Sequence, residues 1–113
     1  MISPEEPDLG LAEDVYGIRA TSIDDARDLI GNALQLRFVA HESSYIGDYY
    51  LAEGREGESF KIRSNLDPLD DLHEFLDFPD NAILLLVEDT RRSSELRRQL
   101  VDLPGVEHLR HRK

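Results

Sequence analysis

Cysteine is absent from this sequence, so disulfide bonds cannot stabilise its fold. The chain has 113 residues, no cysteine and no tryptophan. Secreted domains of this size often depend on disulfide bonds, so we expect this chain to fold without them in the cytoplasm. The N-terminal segment lacks the positive and apolar regions of a signal peptide. The longest apolar run covers only 82–87, whereas a membrane-spanning helix needs about 20 residues, so we expect no membrane contact.

The sequence motifs of common catalytic sites are also missing. There is no Gly-rich phosphate loop, no Gly-x-Ser-x-Gly elbow and no His-Glu-x-x-His. His108 and His111 have a spacing that is common by chance, and they lie near the end of the sequence, where a metal would be weakly held. We therefore predict a protein that is not an enzyme and binds neither a metal nor another cofactor.

Negative charge dominates the sequence, but unevenly. The net charge is −11; residues 1–90 carry 6 basic and 21 acidic side chains, whereas residues 91–113 carry 7 basic and 3 acidic. An acidic surface repels nucleic acid, because phosphate binding needs clustered Lys and Arg. It attracts basic proteins and speeds their encounter. Acidity can also serve solubility alone, and charge by itself favours that simpler interpretation.

The hydrophobic pattern predicts one α+β domain over 14–113 after a flexible acidic tail over 1–13. Helical spacing predicts three helices: one from Ser22 to Leu34, a short one that Asp67 and Pro68 open, and a last one that Thr90 caps. We expect a two-layer sandwich, a ferredoxin-like variant, with a mostly antiparallel sheet and the helices on one face. The predicted strands are 15–20, 36–41, 48–53, 58–64, the central buried run 82–87 and the edge strand 106–111, with turns at 42–47 and 54–57.

Two segments are candidates for a binding surface. Residues 41–50 combine three tyrosines with two serines and two acids, and tyrosine suits interfaces because it offers a large, semi-rigid contact area. Period-two alternation places Tyr49 and Tyr50 on opposite sides of a sheet, although one or two of the tyrosines could simply pack in the core. The predicted contact residues are Glu42, Ser44, Tyr45, Asp48, Tyr49, Tyr50, Asp67, Asp70, Asp71 and Glu74.

The acids of 67–77 leave three interpretations open. The simplest is a solvated helix face with acids near its N-terminus. The second is an acidic docking surface. The third, a cation site or a general acid/base pair, is the least favoured, because no calcium-loop pattern is present.

Paired arginines recur near the C-terminal end, at 91–92 and 97–98. They could bind a phosphate or RNA. Because Glu88, Asp89 and Glu95 lie close by in the sequence, we predict that the arginines form ion pairs within the chain instead.

Several short motifs together resemble the pattern of a known group of proteins. They are Glu42-Ser43-Ser44-Tyr45-Ile46-Gly47-Asp48-Tyr49-Tyr50, Phe60-Lys61-Ile62, Asn65 with Asp67 nearby, Phe78-Pro79-Asp80 and Ile83-Leu84-Leu85-Leu86. This pattern, over about residues 14–110, resembles bacterial immunity proteins of contact-dependent growth inhibition and related polymorphic-toxin systems.

The resemblance implies a cytoplasmic protein that binds and blocks a toxin domain of its own or sibling cells. Many such toxins are nucleases with basic clefts, which an acidic protein would occupy in place of nucleic acid. The resemblance brings no catalytic residues. The alternatives are a small acidic metal-binding or hydrolytic domain that uses the 67–77 carboxylates, and a housekeeping protein-interaction adaptor.

Overall fold

Six antiparallel strands in one open sheet, together with two α-helices, form the described part of this α+β protein. The structure is a computed structural model, and it describes residues 11–44, 47–65 and 82–113. The elements are β1 (Ala12–Ile18), α1 (Ile23–Leu34), β2 (Val39–Ser43), β3 (Gly47–Glu53), β4 (Ser59–Ser64), β5 (Ile83–Thr90), α2 (Ser93–Val101) and β6 (Val106–Arg112), with a 3-10 turn (Arg55–Gly57) between β3 and β4.

The sheet has the strand order β2-β3-β4-β5-β1-β6. The first strand therefore lies between the last two, and it pairs with both in antiparallel fashion. Strands β5 and β6 run parallel to each other on either side of β1, and α2 connects them. The β2–β3 hairpin forms one edge of the sheet and β6 forms the other.

The hydrophobic core lies between the two helices and one face of the sheet. Helix α1 contributes Ala26 and Ile30 to it, and α2 contributes Leu96 and Leu100. We call this side of the sheet the helix face. The strand residues of the core are Tyr16, Ile18, Ala52, Phe60, Ile62, Ile83, Leu85, Val87 and Val106.

The predicted bounds of the first helix are confirmed. The Oγ of Ser22 accepts a hydrogen bond from the backbone N–H of Asp25 at 3.2 Å, which satisfies one of the free amides of the first turn. Asp24 and Asp25 lie in that turn, where the helix dipole favours negative charge. The helix ends at Leu34, and Gln35 follows in the left-handed conformation with φ 57°.

The first strand begins earlier than the pattern predicts. Ala12 and Glu13, which the prediction assigned to the tail, belong to β1, because Ala12 pairs with Thr90 and Glu13 with Arg112. The strand also ends at Ile18 rather than at residue 20. The rest of the predicted tail, 1–10, lies outside the described residues.

The second strand is shifted toward the C-terminus, so the predicted strand 36–41 and turn 42–47 were partly wrong. Strand β2 runs from Val39 to Ser43, and Ser43 pairs with Gly47. Leu36 and Phe38 alternate like strand residues because both pack against the core from the connection that follows α1. The backbone N–H of Leu36 also bonds to the carbonyl of Gly31 at 3.0 Å, which keeps it at the helix end.

Thr90 does not cap the last helix, which corrects that prediction. It is the last residue of β5, and Arg92 occupies the position before the first turn of α2 without a side-chain cap. The Oγ1 of Thr90 instead donates to Glu58 at 2.7 Å and accepts from the backbone N–H of Arg92 at 3.1 Å. The predicted helix at Pro68 lies outside the described residues.

A buried ion pair fastens the β3–β4 turn to the start of α2. Glu58 is 3% exposed, and its two carboxylate oxygens accept from Nε and Nη2 of Arg92 at 2.7 and 2.8 Å. The backbone N–H of Arg55 donates to the same carboxylate at 3.0 Å. Burial by itself would raise the pKa of Glu58, but the hydrogen bonds from Arg92 and Thr90 outweigh it and lower the pKa.

We expect Glu58→Gln to lower the free energy of unfolding by about 2–3 kcal/mol, because it leaves the largely buried Arg92 without its charged partner. Urea denaturation at neutral pH measures the change. The matched control is Glu56→Gln, because within the described ranges Glu56 makes only an exposed contact of 3.8 Å with Arg91. This substitution should change stability by less than about 0.5 kcal/mol. Equal effects of the two substitutions would contradict this assignment.

Candidate functional site

The β2–β3 hairpin brings together five of the predicted contact residues at one edge of the sheet. In its register, His41 lies opposite Tyr49 and Glu42 lies opposite Asp48. The five residues are Glu42, Ser44, Asp48, Tyr49 and Tyr50. The other predicted contact residues, Tyr45, Asp67, Asp70, Asp71 and Glu74, lie outside the described residues.

Tyr50 faces the helices and is held in place by α1. Its Oη donates to the carboxylate of Asp24 at 2.5 Å and accepts from Nη1 of Arg27 at 2.9 Å. The guanidinium of Arg27 also lies 4.8 Å from the centre of the Tyr50 ring. The hydrogen bond to Asp24 raises the pKa of Tyr50, so the phenol remains a donor.

Tyr49 lies on the opposite face, as the alternation predicts. Its ring stacks on His41 with centroids 5.3 Å apart and an interplanar angle of 16°. The Nζ of Lys61 lies 5.2 Å from the centre of the same ring. Tyr49 and Tyr50 are each only partly exposed. The hairpin therefore carries one partly fixed aromatic ring on each side, which lowers the entropy that an interface would lose on binding.

Like charges face each other on the helix face of the hairpin. Glu42 and Asp48 are directly opposite and both exposed. Opposed like charges on neighbouring strands are destabilising. Neither carboxylate has an ion-pair partner among residues 11–44, 47–65 and 82–113. With Asp24, Ala40 and Tyr50 they line a shallow groove, which we call the acidic groove.

A second polar cluster, around Asp14, lies at the other side of the molecule. Asp14 is 2% exposed. One of its carboxylate oxygens accepts from Oγ of Ser93 at 2.7 Å, and the other contacts Nε2 of His108 at 2.8 Å and Nδ1 of His111 at 2.9 Å. Nη2 of Arg97 is 3.6 Å from the second oxygen. The cluster therefore joins β1 to α2 and β6.

Serine, histidine and aspartate also form the triads of hydrolases, but this geometry differs. In a triad, the carboxylate and the nucleophile bind opposite nitrogens of one imidazole. Here Ser93, at 3.3 Å, and Asp14 both contact Nδ1 of His111, and Ser93 donates to Asp14 directly. Over the described ranges, no group of three His, Cys, Asp or Glu is arranged to hold a metal ion. The cluster provides hydrogen-bond partners for the buried carboxylate of Asp14.

The sequence did not predict the Asp14 cluster, because its members are far apart along the chain. The partners of Asp14 lie 79, 94 and 97 residues away. The one local signal is a carboxylate directly before the apolar residues Val15 and Tyr16.

The predicted ion pairing of the arginines is confirmed for three of them. Arg92 pairs with Glu58, and its Nη1 lies 3.6 Å from Oε2 of Glu95. Glu95 is one of the acids predicted to pair with the arginines. Arg97 contacts Asp14 at 3.6 Å. Arg91 contacts Glu56 at 3.8 Å. The closest partner of Arg92 was missed because Glu58 is 34 residues away in the sequence.

Comparison with known proteins does not place the chain in a family: no family model matches it, and no curated protein matches it either. Neither of the two described helices is long and apolar enough to cross a membrane.

We expect Asp14→Asn to cost stability in a pH-dependent way. Burial by itself would raise the pKa of Asp14, but the hydrogen bonds from Ser93, His108 and His111 lower it below 3.8. The carboxylate therefore contributes stability above the unfolded pKa and loses that contribution as the pH falls through the lower folded pKa. The variant should be about 2 kcal/mol less stable at pH 7, and the difference between the two proteins should shrink only as the pH falls below about 4, from the unfolded pKa toward the lower folded pKa.

Urea denaturation from about pH 2 to pH 7 measures this dependence. Glu13→Gln is the control, because Glu13 is the exposed neighbour of Asp14 in β1. A difference between Asp14→Asn and the parent that stays constant over the whole pH range would contradict the role given to the carboxylate.

We expect Asp48→Lys to raise the free energy of unfolding by about 0.5 kcal/mol, because it replaces a repulsion across the strands with an attraction to Glu42. The gain should shrink in about 1 M salt, which screens exposed charges. Glu53→Lys makes the same change of charge in the same strand, but Glu53 lies opposite Ser59 on β4. A gain in the Glu53 variant as large as in the Asp48 variant would show that only the net charge matters.

Proposed function

We propose that this protein is a cytoplasmic immunity protein that binds a cognate toxin domain, expected to be a nuclease, and blocks its active site. The observation that carries the proposal is the exposed pair of Glu42 and Asp48, which has no ion-pair partner among the described residues, beside the fixed ring of Tyr50. A surface that keeps a repulsive pair at some cost in stability is typical of residues retained for binding. The acidity of residues 1–90 and the motif resemblance support the same proposal.

The acidic groove has the chemistry of an interface hot spot. Tyrosine is enriched in hot spots, and Tyr50 is oriented in advance by Asp24 and Arg27, so little freedom is lost on binding. A Lys or Arg of the partner would relieve the repulsion between Glu42 and Asp48. A nuclease cleft offers such basic side chains, because they bind the phosphates of its substrate. The carboxylates would then occupy the place of those phosphates.

We also infer that the fold is a two-layer, ferredoxin-like variant to which the hairpin has been added. Strands β1, β4, β5 and β6 with the two helices follow the chain order β-α-β-β-α-β, and their spatial order is β4-β5-β1-β6. Both helices contribute to one core on one side of the sheet, which supports two layers. In this description β2 and β3 extend the sheet beyond β4, which makes the hairpin an addition available for binding.

The test is neutralisation of a toxin. The variable C-terminal domain of a large secreted protein encoded beside this chain is expressed in a bacterial host with and without the chain. We expect the domain to arrest growth, and the chain to restore growth and to purify with it as a stoichiometric complex. The lack of such a neighbouring protein, or growth arrest that persists with the chain present, would contradict the proposal.

The purified complex also tests the site. We expect Asp48→Lys to weaken toxin binding by about tenfold or more, because it places a like charge against a basic cleft. Much of the loss should appear as slower association, and association of the parent protein should slow as salt rises. Glu53→Lys serves as the control and should bind nearly as the parent does. Equal loss in both variants would place the interface outside the acidic groove.

A further inference from the structure

The two edges of the sheet differ in how they are protected against pairing with another strand. Native proteins protect edges with charged side chains, proline or irregular register. Strand β6 carries Arg110 and Arg112, and its register with β1 shifts between Val15 and Tyr16. Strand β2 contains no Lys, Arg or Pro, its one formally charged side chain is that of Glu42, and it pairs with β3 in a regular register over its whole length.

No other strand of the described ranges lies along the outer side of β2. It pairs with β3 alone among the described strands, and four of its five residues are exposed, including Val39 at 52%. Every second N–H and C=O of such a strand points away from its one neighbour. An open row of backbone donors and acceptors is a template for one more strand.

We propose that β2 receives an extended basic segment of the partner protein as an additional strand. This deepens the proposed function, on which it rests, by naming the mode of binding and the chemistry of the bound segment. Main-chain hydrogen bonds supply affinity, and alternate side chains supply specificity. Those on the helix face lie beside Glu42 and the acidic groove, so they are basic. Those on the opposite face lie beside His41 and Val39, so they are uncharged.

The charges favour this segment over a second copy of the chain. Antiparallel pairing of two β2 strands would place both copies of Glu42 on one face of the joined sheet, with Asp48 of each copy nearby. Four carboxylates would then share one small area, and like charges that face each other across strands are destabilising. A basic segment neutralises the same carboxylates.

The test uses a synthetic peptide of about nine alternating Lys and Val residues with blocked ends, long enough to form one strand. It is titrated into isotope-labelled protein and followed by NMR. We expect shifts centred on β2 and slower exchange at its alternate, outward amides, with β6 unchanged. The control peptide has the same sequence with N-methylated backbone amides. It keeps the charge but loses the backbone donors, so we expect it to bind at least about tenfold more weakly.

Equal binding of the two peptides, or shifts centred outside β2, would overturn strand addition and leave attraction between charges as the explanation. No binding at about 1 mM peptide, or self-association of the protein through β2, would overturn it as well. The outcome is separable from that of the proposed function. Toxin neutralisation without strand addition would show docking through side chains, whereas peptide binding without toxin neutralisation would give the edge a different partner.

Discussion

A single buried carboxylate, that of Asp14, links the first strand of the fold to its last two elements. Strand β1 lies between β5 and β6, so this part of the sheet forms only when residues near the two ends of the described chain come together. A buried charge is costly unless several hydrogen bonds satisfy it. Ser93 from α2, and His108 and His111 from β6, provide those bonds. Together with the Glu58–Arg92 pair, this contact positions α2, which contributes Leu96 and Leu100 to the hydrophobic core.

Acidic side chains differ in burial and in their partners between the two sides of the molecule. Asp14 and Glu58 are buried, and each is surrounded by donors that lower its pKa. On the hairpin, Glu42 and Asp48 face each other in water, and the described residues include no cation paired with either. Evolved proteins keep such unfavourable arrangements where binding or catalysis needs them. This contrast is the physical basis for proposing an interface on the hairpin.

Local sequence patterns predicted the elements that depend on residues close together in the sequence. Ser22 and the acids that follow it mark the start of α1, the apolar run 82–87 marks a central buried strand, and period-two alternation separates Tyr49 from Tyr50. Leu36 and Phe38 led to the wrong prediction of a strand at 36–41, because a connection that packs on the core has the same alternation as a strand. The Asp14 cluster, the Glu58–Arg92 pair and the opposition of Glu42 to Asp48 depend on which strands become neighbours, and local periodicity does not carry that information.

Amide hydrogen exchange of the protein in its complex with the proposed toxin domain tests whether the hairpin is the interface. Exchange is read residue by residue in the free and the bound protein, because amides at an interface or in a new strand pair exchange more slowly. We expect slower exchange in β2 and at Asp48 of β3, with α2 and β6 unchanged. Slower exchange confined to α2 and β6, with the hairpin exchanging as it does in the free protein, would place the interface at the basic C-terminal end and contradict an interface on the hairpin.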